Sequence, residues 1–96
     1  MLIVVWTFKL VEGADEQAFL EANELMQTEF VYQQPGFVRR TTARGKDGEW
    51  LVIGMWSSDE EAAAAGKLAS ADPIARAATS MVDPSSVQVK RFHTLD

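Results

Sequence analysis

Cysteine is absent from these 96 residues, and histidine occurs once. The first absence excludes a disulfide frame and a thiolate zinc site. The second leaves a metal ion too few nitrogen ligands. Basic residues are in the minority, 9 Lys+Arg against 14 Asp+Glu, for a net charge of −5. Nucleic-acid binders draw affinity from cations that neutralise phosphates, so the balance argues against that partner. No apolar run approaches the roughly 18 residues that span a bilayer. The first ten residues are apolar but lack a basic leader and a small-residue cleavage site, and Glu12 and Asp15 follow at once. They predict a strand rather than a signal peptide. The expectation is one domain over 1–96, cytoplasmic and without membrane contact.

What is present has clear periods. Leu2 to Val11 is rich in Val, Ile, Trp and Phe, as in a strand covered on both faces. From Ala14 the spacing turns helical: Phe19, Ala22, Met26 and Phe30 recur with Leu25 beside them, over about five turns, until Pro35-Gly36. Phe37 to Arg44 and Glu49 to Trp56 alternate as strands about the turn Gly45-Lys46-Asp47-Gly48. That turn fits neither the dinucleotide nor the P-loop spacing, so it reads as a hairpin rather than a phosphate loop.

Ser57 or Ser58 can cap a helix reaching about Ala69, with Glu60 or Glu61 at capping-box distance. Asp72-Pro73 opens another turn or two, with Ile74, Ala77 and Met81 on one face. Val87 to Leu95 alternates as a last strand. The order β-α-β-β-α-β is the ferredoxin-like plan, an α+β fold with a four-stranded antiparallel sheet. In this topology strands one and three lie in the middle, and their apolar character on both faces agrees.

Two helices cover one face of such a sheet. Strand one sets Ile3 and Val5 against Leu2, Val4, Trp6 and Phe8, and strand three sets Leu51, Ile53 and Met55 against Trp50, Val52 and Trp56, so both faces are apolar. Leaving one face in water forgoes about 1.5–3 kcal/mol for each large side chain and exposes a patch that monomers rarely carry. The pattern predicts a homodimer packed through the open sheet face.

Pro35-Gly36-Phe37 entering strand two, Trp56-Ser57-Ser58-Asp59-Glu60 closing strand three, and the terminal Thr94-Leu95-Asp96 carry a resemblance. Together they resemble the antibiotic biosynthesis monooxygenase family of dimeric α/β barrels, over nearly the whole chain. The resemblance implies a homodimer with one ligand pocket per subunit, between sheet and helices. It implies an activity among cofactor-independent monooxygenases of aromatic substrates, quinol monooxygenases and haem-degrading enzymes. The haem-degrading branch uses an Asn on strand one, a Trp in the second helix and a His further on. Those positions fall on Trp6, near Ala65, and near Ala77 or Ala78, so haem degradation is disfavoured and no cofactor is expected.

The candidate pocket residues are Trp6, Met26, Phe30, Leu68, Met81 and Arg39. Trp6 can stack on a planar ligand or serve as a core tryptophan, and the helix residues have the same plainer role open to them. Arg39 and Arg40 point to opposite faces; whichever faces the helices can bind a substrate carboxylate or stabilise an enolate, or else pair with an acid. Tyr32 can hydrogen-bond a polar substrate group or simply end its helix. His93, the only side chain with an ordinary pKa near neutrality, is the candidate general base, or a plain surface or interface histidine. Three readings follow. The first is a cofactor-independent monooxygenase of a small phenol- or quinol-type substrate. The others are a non-catalytic dimer binding a small apolar ligand and an assembly module.

Overall fold

A computed structural model describes residues 1–96. The elements are β1 (Leu2–Phe8), α1 (Glu16–Glu29), β2 (Phe37–Arg44), β3 (Trp50–Trp56), α2 (Asp59–Ala69), α3 (Pro73–Thr79) and β4 (Gln88–His93). Short 3-10 turns at Val31–Gln33 and Pro84–Ser86 join them. The sheet runs β2-β3-β1-β4, every neighbour antiparallel, so the ferredoxin-like plan and the central place of β1 and β3 stand.

Each helix starts on a side-chain acceptor that satisfies otherwise orphaned N–H groups. Asp15 accepts from the Gln17 amide, Ser58 from Glu61, and Asp72 from both Ile74 and Ala75, just before Pro73. The first helix is shorter than its apolar spacing predicts, because it stops at Phe30. There the side-chain amides of Gln33 and Gln34 donate to the carbonyls of Thr28 and Phe30, which frees the chain to turn early. β1 also ends early: Lys9 N–H turns to Ser86 Oγ, and only Leu10 bridges onward, to Val82. In α3 the inward residues are Ala75 and Ala78 with Ile74 half-buried, whereas Ala77 faces out.

Trp50, Val52 and Gly54 of β3 lie on the clad side with Leu2, Val4 and Phe8 of β1. Two separate clusters hold the helices to it. Phe19 of α1 meets Phe8 and Trp50 edge-on, with centroids 5.9 and 5.1 Å apart, each aromatic pair worth about 0.5–1.5 kcal/mol beyond its area. Met26, Phe30 and Val31 pack on Ala75 and Ala78, where alanines let α3 approach α1 closely. On the other side Ile3, Val5, Leu51, Ile53 and Met55 are half-buried without a covering helix, and Phe92 is exposed.

Gly36 fixes the turn into β2. Its φ is +80°, and a Cβ there would run into the Glu61 side chain. Glu61 in turn accepts from the hydroxyls of Ser57 and Ser58, which hold its carboxyl below the usual range. A depressed carboxyl contributes stability above its ordinary pKa and loses it as pH falls through the lowered value. Replacing Gly36 by Ala combines a strained φ with a steric conflict. Urea unfolding should show Gly36→Ala destabilised by about 1–3 kcal/mol.

Candidate functional site

Between the two clusters lies a cleft of about 710 Å³, within the range of small-molecule sites. Sheet register builds its floor. Arg40, Gly54, Val4 and Arg91 stand in one row across β2, β3, β1 and β4. Gly54, in the middle, offers no side chain, so the floor is low there. The next row brings Val52 and Trp6; on the other side stands Trp56, paired with Leu2. The roof is the inner face of α2, where Ala62, Ala65, Gly66 and Ala69 leave the space unfilled.

Trp6 is 41% exposed and faces this cleft, which assigns it to the wall and not to the core. Trp56 forms another wall and meets Phe37 edge-on at 5.6 Å. Met26 and Phe30 line the inner end. Leu68 does not: it is 57% exposed and points away from the sheet. Met81 is also outside, packed against the Phe8, Phe19, Trp50 and Val52 cluster, where the chain has left α3 toward the Leu10–Val82 bridge.

The arginine in the cleft is Arg40. Arg39 pairs with Met55 on the opposite face and borders a separate shallow hollow with Tyr32 and Val38, which Arg40 also reaches. A bulge between Phe37 and Arg39 reverses the alternation, so Arg40 follows Phe37 onto the helix side. Arg40 reaches α1: Nη2 donates to Asn23 Oδ1 at 2.9 Å, Nη1 to Gln27 Oε1 at 3.0 Å and, weakly, to Thr42 Oγ1 at 3.5 Å. Asn23 Nδ2 donates to the same Thr42 hydroxyl, and Gln27 Nε2 to the Tyr32 hydroxyl. Burial pushes the Arg40 pKa down, partly offset by nearby Tyr32; a guanidinium still stays charged at neutral pH. No carboxylate pairs with it, since the ion pairs are Arg44–Glu16 and His93–Asp59.

His93 lies outside the cleft. Exposed on β4, its Nε2 contacts the Asp59 carboxylate at 2.8 and 3.0 Å, tying the sheet edge to the start of α2. It lines no part of the cleft. Sequence reasoning passed over Asn23, Gln27 and Arg91. Asn23 left a signal: it sits on the apolar stripe, four residues after Phe19 and three before Met26, and is buried. The wall carries no imidazole, thiolate or phenolate to hold a haem iron, and its one sulfur, Met26, belongs to the packed core. No cluster of acidic, His or Cys side chains could hold a metal ion.

No family model and no curated protein matches the sequence. Solved structures do match in fold. SnoaB, a cofactor-independent oxygenase from Streptomyces nogalater, is 22% identical with a TM-score of 0.75, over 99% of this chain and 93% of its own. A candidate antibiotic biosynthesis monooxygenase from Nitrosomonas europaea is 14% identical, TM-score 0.75, over 100% of both chains. A point mutant of MhuD with two manganese protoporphyrin IX molecules per active site is 19% identical, TM-score 0.67, covering 99% of this chain and 95% of that one. The structural neighbours are thus proteins of the antibiotic biosynthesis monooxygenase type, and the chain shares their α+β ferredoxin-like fold.

Asn23 is the joint of the polar network. Asn23→Ala removes an acceptor from the half-buried Arg40 and a donor from Thr42. Chemical denaturation should register a loss of about 1–3 kcal/mol.

Proposed function

We propose that the chain is a cofactor-independent monooxygenase acting on a small phenol- or quinol-type aromatic substrate. The observation that carries this reading is the cleft itself, apolar, roofed by alanines and flanked by the indoles of Trp6 and Trp56. A planar ring laid along Gly54 and Val4 lies between those indoles. The likeness to an oxygenase that needs no cofactor supports the same chemistry.

In that chemistry the substrate is its own reductant. An ionised phenol gives an electron pair from a ring carbon to O₂, forming a C–O bond and a peroxide. The peroxidised carbon loses its hydrogen as a proton, the C–H pair becomes the carbonyl bond as the O–O bond breaks, and the protonated outer oxygen leaves as water. Phenol and O₂ become quinone and water, with atoms and electrons balanced. The protein binds the ring, orients it and keeps bulk water from the peroxide; the substrate's acidity supplies the ionisation. The scarcity of acid–base groups on the wall favours a second reading, a dimer that binds an aromatic ligand without turnover.

Oxygen uptake with a panel of quinols and naphthols separates the two. The oxygenase reading expects one O₂ consumed per product, faster than autoxidation. Trp6→Ala should lower kcat/KM by on the order of tenfold, a loss of about 1.4 kcal/mol. His93→Ala should leave the rate unchanged. Ligand binding without uptake would leave the binding module.

This reading also takes two copies, sheet against sheet, which would cover Ile3, Val5, Leu51, Ile53 and Met55. Light scattering should return about twice 10.6 kDa, and Ile53→Lys should halve that mass. A wild-type monomer would rule the dimer out.

A further inference from the structure

We infer that the ligand of the cleft is an anion, a planar aromatic carrying a carboxylate or ionised hydroxyl that docks on Arg40. The inference rests on the cleft being the substrate site and names the charge of what enters it. Three observations on the wall lead there.

Arg40 is a half-buried cation held only by neutral partners, Asn23, Gln27 and Thr42. Buried charges in proteins are ordinarily paired, because an unpaired one loses its hydration without return. The chain has 14 carboxylates and places none of them on this wall.

The guanidinium also has donors left over. Both Nη1 hydrogens and one on Nη2 are taken, which leaves Nε–H and the other Nη2–H from a set of five. Nε and Nη2 form the edge that meets a carboxylate through two parallel hydrogen bonds. Nε has no protein partner, yet no polar side-chain atom is sealed in without one, so Nε reaches open space; Arg40 borders both this cleft and the hollow beside Tyr32. Beside Arg40, Gly54 adds no side chain to the floor, and Trp56 Nε1 stands 3.4 Å from where a Cβ would be, so a ring laid there meets the indole.

At the far end of the same row stands Arg91, exposed and in no ion pair. Every charged side chain on the wall is therefore an arginine. In a protein of net charge −5 the surrounding field repels anions, and two cations at the ends of one row make the cleft a local exception. Arg40, tethered to α1, fixes the anion; Arg91 adds attraction.

The test compares 2-naphthoate with its neutral near-isostere 2-naphthamide by equilibrium dialysis. Wild type should bind the naphthoate at least on the order of tenfold more tightly, as a charge-assisted pair of hydrogen bonds would give. Arg40→Met should erase the preference. Arg40→Lys should keep part of it, as a point charge without the paired edge, and Arg91→Gln should reduce it by only about two- to threefold. Circular dichroism checks that each variant is folded; should Arg40→Met not fold, the wild-type ratio and the lysine variant decide. Equal binding of the two probes by wild type overturns the inference. So does a preference that survives in Arg40→Met or vanishes in Arg91→Gln, and so does a failure of both probes to bind at millimolar concentration. Neither probe has a phenolic hydroxyl to ionise, so the outcome is independent of turnover. Silence in the oxygen assay with the preference intact removes the oxygenase reading alone, and uptake without any preference for charge removes the anion alone.

Discussion

The helices touch the sheet through two clusters rather than one, and that spacing governs the rest of the molecule. Phe8, Phe19 and Trp50 lock one end of α1. Met26 and Phe30 lock its other end to α3. The space over Gly54 and Val4 is left without large side chains from above, because α2 brings alanine and glycine there. A core filled to ordinary density has no such gap. Its survival depends on the two clusters being far enough apart that neither can relax into it.

The polar network around Arg40 acts as a strut inside that gap. A guanidinium bonded to two successive turns of α1, at Asn23 and Gln27, holds the helix and β2 at a set distance. Neutral amides suit this role because they accept from the cation without cancelling it. A carboxylate at position 23 or 27 would make a stronger pair and would also silence the positive field over the floor. The arrangement gives up some stability to keep a charge available.

Much of the fold was legible because strands and caps are local. β-branched and aromatic runs marked β1 and β3, the Ser57-Ser58 pair and Asp72 marked helix starts, and the β-α-β-β-α-β order, with which strand polarity agrees, gave the order in the sheet. The site was legible in part. Trp6, Met26 and Phe30 fall where an apolar alternation puts them. Arg39 did not, for a specific reason: strict alternation from Phe37 carries Arg39 inward, and the bulge at Val38 exchanges it for Arg40. Leu68 and Met81 failed because hydrophobic character says nothing of which side of a short helix looks at a cavity. Arg91 was hidden in a strand whose six residues are all exposed, where only register reveals that it completes a row.

The two border strands carry Arg39, Arg40 and Arg44 on one side and Lys90 and Arg91 on the other, five of the chain's nine basic residues. Unpaired strand borders invite further strands to add, and cationic side chains oppose that. Arg44 is paired with Glu16, and Arg39, Lys90 and Arg91 leave both borders with the same sign, so another copy arriving alongside meets like charge. Growth into ribbons is closed off by an otherwise acidic protein that has kept its scarce positive charge for its margins.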